Sequence, residues 1–199
     1  MVVLTLALLA APLAADAQQR SSEAGSSQVT TFDRFRAEWY SRCLAMMAEP
    51  KLFGRQGSGT ETYRLLWLRS FHEPIVVRLD IDADREAVLT VKILTGDAHC
   101  KSSERVRLWQ SSTLSRLGVT EFLTALAQAD YWNLPTADPT CDATGPVRVA
   151  CLDGARCLLE ALRLGTYHVV DRWSASGIPY RSAVLRLLEV AGVKIEPVY

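Results

Sequence analysis

Beyond residue 17 the chain has no apolar run of transmembrane length, so no membrane-spanning helix is expected in its body. It has no excess of charge of either sign, with 22 Lys and Arg against 22 Asp and Glu. Without a basic stripe, nucleic acid and anionic membrane surfaces are not expected partners. There is no Cys-x-x-Cys, which removes both a thioredoxin-like redox motif and zinc-finger spacing. No Gly-x-Ser-x-Gly occurs, so a hydrolase nucleophile elbow is missing. The Gly-rich stretch GRQGSG at 54–59 is not followed by Lys-Ser or Lys-Thr, so it reads as a connector and not as a phosphate cradle. Neither an alternating βαβ pattern nor an internal repeat is present.

Two acidic clusters fail as metal sites on spacing. Asp80-Ile-Asp82-Ala-Asp84-Arg-Glu86 opens like a calcium loop, but the sixth and twelfth positions hold Arg85 and Val91 where an EF-hand needs Gly and Glu. It reads as a solvated hairpin turn. Asp97-Ala-His99-Cys100 offers three ligand types, yet no second cluster completes a four-coordinate site. It reads as a polar loop with Cys100 in a disulfide or simply buried. No cofactor or metal is expected.

What is present begins at the N-terminus. Val2 to Ala10 is apolar except for Thr5, and Ala15-Asp16-Ala17 places small residues where a signal peptidase accepts them. Residues 1–17 therefore read as a signal peptide and the protein as exported, periplasmic or secreted. The segment has no Lys or Arg, which points to a start codon further upstream. Residues 18–29 are small and polar, a flexible leader. Residues 30–199 are expected to form a single globular α+β domain, an antiparallel sheet with about three helices packed against one face. A hydrophobic content of 49% argues against disorder.

Export would carry five cysteines into an oxidising compartment. Two bridges among Cys43, Cys100, Cys141, Cys151 and Cys157 can be drawn in 15 ways. Cys141 and Cys151 flank the turn-rich DATGPVRVA and are the first expected pair. Cys157 lies in a strand pattern and is expected to stay a buried thiol.

Phe32, Phe35, Trp39, Cys43 and Met46 recur at helical spacing, ending before Pro50. Thr62 to Phe71 reads as a strand. Ile75, Val77, Leu79 and Ile81 then alternate with Val76, Arg78, Asp80 and Asp82. Ala87 to Leu94 repeats the pattern, so the two segments predict an antiparallel hairpin. Arg105 to Gln110 is a fourth strand. A second helix is expected from Thr120 to before Pro135, and a third begins near Pro179 and stops at Gly192. Between them fall strands at 148–151, 156–162 and 166–173. Trp67, Trp109, Trp132, Tyr167 and Trp173 read as core aromatics.

The densest chemistry lies at Asp153-Gly154-Ala155 with Glu160, Gly165-Thr-Tyr-His168, and Arg172-Trp-Ser174. Through this block, and more broadly over about 60–175, the chain resembles exported bacterial proteins of unknown function. The resemblance implies a shared fold and no activity, so it lends no catalytic residue. Those proteins tend to carry Trp in place of Cys157 and Pro in place of Ala175, changes that bear on packing around the hairpin.

The turn between the last two strands decides which side chains meet. A two-residue type I′ turn at Leu164-Gly165 would force positive φ on Leu164. A type II′ turn at Gly165-Thr166 would oppose Glu160 to Asp171, a like-charge pair. A three-residue loop, Arg163-Leu164-Gly165, is therefore preferred, and it sets Glu160 opposite His168. Glu160, His168 and Arg172 become the weak catalytic candidates, with no nucleophile beside them. The expected function is an exported binding protein of inhibitor, immunity or envelope-assembly type with a protein partner. The alternatives are a hydrolase-like enzyme using Glu160 and His168, or a structural envelope protein without a discrete ligand.

Overall fold

The computed structural model describes residues 30–55, 59–137, 154–174 and 178–194. The expected signal peptide, the leader, the strand at 148–151, and Cys141 and Cys151 lie outside the described residues. Two compact units, Met1–Glu38 and Trp39–Tyr199, are distinguished, and the boundary falls inside the first described helix.

Among the described residues the order is α1 (Thr30–Met46), β1 (Glu61–Arg69), β2 (Ile75–Ile81), β3 (Ala87–Leu94), β4 (Val106–Leu114), α2 (Arg116–Gln128), a 3-10 turn (Tyr131–Asn133), β5 (Ala155–Arg163), β6 (Thr166–Trp173) and α3 (Ile178–Val190). The strands form one six-stranded sheet, ordered β4-β3-β2-β1-β5-β6, with every neighbouring pair antiparallel. This is the expected α+β class.

The hairpin β2–β3 follows directly from its alternation. Its turn is closed by Arg85 N–H to the Asp82 carbonyl at 3.1 Å and by Glu86 N–H to Asp82 Oδ1 at 2.8 Å. The carboxylate that resembled a calcium ligand thus holds the turn. Helix α2 starts four residues before Thr120, because Ser115 Oγ accepts from Gly118 N–H at 3.2 Å and caps it.

One face of the sheet, carrying Tyr63, Leu65, Trp67, Val77, Leu79 and Leu159, packs against Phe122 and Leu126 of α2 and Val184 and Leu187 of α3. The opposite face carries Leu66, Leu68, Val76 and Leu158, and these meet Tyr40 and Cys43 of α1 and Met47 just after it. The expectation of helices against one face is corrected. β1 and β5 are neighbouring interior strands, and their residues are buried almost throughout. Each therefore presents apolar side chains on both faces, and both faces must be covered.

Cys43 and Cys100 form a disulfide with a Cα–Cα distance of 5.2 Å. It ties α1 to the loop after β3, a pairing across 57 residues that turn chemistry did not suggest. Cys157 is a buried thiol, as expected. Trp67 is a core residue, but Trp109, also read as core, is 66% exposed on β4.

The β5–β6 connection overturns the expected three-residue loop. Leu164 and Gly165 both have positive φ, 50° and 78°, and Arg163 pairs directly with Thr166. This is the two-residue turn whose twist matches antiparallel strands. The favourable hairpin geometry outweighs the steric cost at Leu164.

Candidate functional site

Side chains alternate across a strand, so Arg64 of β1, Arg78 and Asp80 of β2, Lys92 of β3, Arg156 and Glu160 of β5, and Asp171 of β6 all project to the α1 side. A half-buried hairpin would turn such groups to water. Here the end of α1 and the segment after it cover them, leaving Arg64 and Lys92 2% exposed and Glu160 5%. Charges this dry persist only when paired and hydrogen-bonded.

The pairing is dense. Arg64 donates from Nε at 2.8 Å and Nη2 at 2.6 Å to Glu160 Oε2. Its Nη1 donates to the Pro50 carbonyl. The other carboxylate oxygen of Glu160 accepts from the Tyr167 hydroxyl at 2.9 Å. Glu49 has a fully covered side chain and lies 2.8 Å from Arg78 Nη1, 2.7 Å from Lys92 Nζ and 3.6 Å from Arg64 Nη1. Lys92 also donates to the Met47 carbonyl at 2.7 Å and the Ala48 carbonyl at 3.3 Å. A cation there meets the negative end of the α1 dipole. At the β6 end, Asp171 accepts from the Tyr40 hydroxyl at 2.7 Å and from Arg156 at 3.4 Å.

Above Glu160 lies a cleft of about 300 Å³. Leu44, Pro50, Leu52 and Phe53 supply its apolar side, and Arg64, Glu160 and Tyr167 its polar floor. Phe53 is 78% exposed and meets the Tyr167 ring edge-on, with centroids 5.4 Å apart. Burial first, and then the Glu160 carboxylate, push the Tyr167 phenol above its ordinary range, so it stays a neutral donor.

The three sequence candidates divide between the faces. Glu160 pairs with Val169, and His168 pairs with Ala161, so the expected Glu160–His168 contact is overturned. A one-residue change of register moves a side chain to the other face of the sheet. His168 packs against Tyr131 and Trp132, with ring centroids 5.0 and 5.8 Å away. Its buried Nε2 has no hydrogen-bond partner among the described residues. Arg172 is on the same face as His168 and clamps a loop. It donates to the Pro135 carbonyl at 2.7 Å and the Thr136 carbonyl at 3.1 Å.

The 97–100 cluster is likewise structural. Asp97 Oδ1 accepts from His99 N–H at 2.9 Å and lies 2.8 Å from His99 Nδ1. The backbone N–H of His99, more than any other contact, holds the Asp97 carboxyl below the usual range. Among the described residues no group of three or more His, Cys, Asp or Glu side chains is placed to hold a metal ion.

Arg64, Glu49 and Tyr167 were not legible as site residues. A signal for Arg64 exists, since it is the one charge inside the apolar stretch Tyr63 to Leu68. Glu49 follows a helix and precedes Pro50, with nothing local to mark it. No protein-family model matches the chain, and no curated protein is significantly similar to it.

Proposed function

We propose that this chain is an exported binding protein of the inhibitor, immunity or envelope-assembly type, taking a protein partner at the cleft over Glu160. The carrying observation is Phe53, a large apolar side chain left 78% exposed at the rim of a cleft whose floor is polar. Binding pockets combine apolar walls with a few convergent polar groups in this way. Aromatic anchors dominate protein interfaces. The Cys43–Cys100 bridge fits an oxidising compartment. The signal pattern at 1–17 and the resemblance of the 153–174 block to exported bacterial proteins favour the same destination. No helix among the described residues is long and apolar enough to cross a membrane.

The hydrolase-like alternative requires Glu160 to orient His168, and the strand register puts them on opposite faces. Glu160 is instead engaged by Arg64 and Tyr167. The test is capture from envelope extract with the exported protein and its Phe53→Asp variant, followed by mass spectrometry. A stoichiometric protein retained by the parent and lost with the variant is the expected result. Equal capture by both removes the cleft from the reading. No partner at all favours a structural envelope protein, whereas turnover of a screened substrate abolished by His168→Ala would favour an enzyme.

A further inference from the structure

The two edges of the sheet are finished differently. At β6, Asp171 N–H donates to the Thr136 carbonyl at 2.8 Å, and Arg172 holds the same segment, so part of that edge is occupied. At the other edge runs β4, nine residues long, with its side chains largely exposed. Proteins guard such edges with Pro, Lys, short strands or bulges. VRLWQSSTL contains neither Pro nor Lys, and its one charged side chain, Arg107, is held by Glu73 at 2.8 and 2.6 Å. The register irregularity at Ile93/Leu94 touches only the start of β4 and leaves Leu108–Leu114 in regular pairing.

The direction of the backbone groups follows from the pairing. Leu94 N–H donates to the Pro74 carbonyl at 3.0 Å. In an antiparallel ladder the bonding direction alternates, so Thr90 and Lys92 also bond towards β2. Leu89, Val91 and Ile93 bond towards β4, opposite Ser112, Gln110 and Leu108. Trp109, Ser111 and Thr113 therefore aim their N–H and C=O groups out of the sheet.

We propose that β4 pairs antiparallel with β4 of a second copy of this chain, about a two-fold axis at Gln110, so that the two sheets become continuous. This register uses the whole strand, because Gln110 is its middle residue. It opposes Trp109 to Ser111 of the second copy, with outward backbone groups on both sides, so the two exchange hydrogen bonds. Arg107 opposes Thr113, and no like charges face each other. The strand is thus its own complement, which selects a second copy over an unrelated strand. The two Gln110 side chains meet at the axis, each amide offering both a donor and an acceptor. The two Trp109 rings become diagonal neighbours on one face, within reach of each other. Each is 66% exposed in the single chain, with Lys92 Nζ 4.5 Å from its centroid.

Light scattering coupled to size exclusion tests the pairing on the exported protein, Gln110→Lys, Gln110→Glu and their equimolar mixture. Gln110 is exposed, so both variants should fold, and circular dichroism checks that they do. The parent is expected to be a dimer. Each variant sets like charges against each other at the axis and is expected to dissociate by tenfold or more. Mixing the two opposes Lys to Glu and is expected to restore a one-to-one dimer. A monomeric parent at high micromolar concentration overturns the proposal. So do single variants that stay dimeric, or a mixture that fails to reassemble.

Discussion

Arg64 and Glu160 face each other across β1 and β5, and two guanidinium nitrogens converge on one carboxylate oxygen in a site almost closed to water. Replacing Glu160 by Leu would leave the buried Arg64 with only Glu49 as counter-charge, 3.6 Å away and shared with Arg78 and Lys92, a loss of about 3–5 kcal/mol. The double replacement Arg64→Met, Glu160→Leu should recover most of it, because an apolar pair of similar volume has no charge to desolvate. Urea denaturation of the three proteins measures this. A single-variant cost below about 1 kcal/mol would show that the pair is wet.

The bridge between Cys43 and Cys100 closes a long loop. Chain entropy assigns such a loop about 4 kcal/mol of stabilisation. Cys43→Ala with Cys100→Ala should lower the urea midpoint accordingly. Peptide mapping without reductant should recover the Cys43 and Cys100 peptides joined. Recovery of either cysteine in a bridge with another would refute the pairing.

Leu164 occupies left-handed backbone at φ 50° while its side chain is 87% exposed. Asn tolerates that conformation better, and no packing is given up. Leu164→Asn creates the Asn-Gly sequence favoured in this turn, and is expected to stabilise the protein by about 1 kcal/mol. Thermal and chemical denaturation read the change. A destabilised variant would mean that the turn is not of this type.

Burial raises the phenols of Tyr63, Tyr131, Tyr167 and Tyr180, with Glu61 adding to the effect at Tyr63 and Glu160 at Tyr167. The unfolded chain loses these protons near pH 10, while the folded chain keeps them. The folded state then binds more protons, so stability falls as pH rises through and beyond about 10. Urea midpoints measured from pH 8 to 11 should be level at first and then drop. Ultraviolet titration should show these phenols ionising only with unfolding. Ionisation of all the tyrosines in the folded protein near pH 10 would contradict their burial.

Arg107 holds the Glu73 carboxyl below its usual range, chiefly through its hydrogen bonds. The contribution of this pair is present above the unfolded glutamate value and is lost as pH falls through the lower folded value. Carbon-detected NMR should find Glu73 titrating lower in the parent than in Arg107→Gln. Coincident curves would dismiss the contact.

Much of the architecture was legible locally. The alternation from Ile75 to Leu94 specified two strands and their turn, since a period of two leaves a strand only one way to bury its apolar side. Pro179 and Gly192 marked the limits of α3 because each restricts the backbone at its own position. Helix α2 was read four residues short, as Ser115 gives only a weak cap signal before Gly118. What depended on distant parts of the chain was not legible. The partner of Cys43, the gathering of three cations around Glu49, and the covering of the polar side of the hairpin each join segments far apart in sequence. The Glu160–His168 expectation turned on a single residue of register. Local sterics at Leu164 argued for the longer loop, yet the twist of the paired strands and the burial of β5 on both faces selected the shorter one. Local chemistry determined which segments are strands and helices, while tertiary packing alone decided which side chains share a face, because register and cover are properties of the assembled sheet.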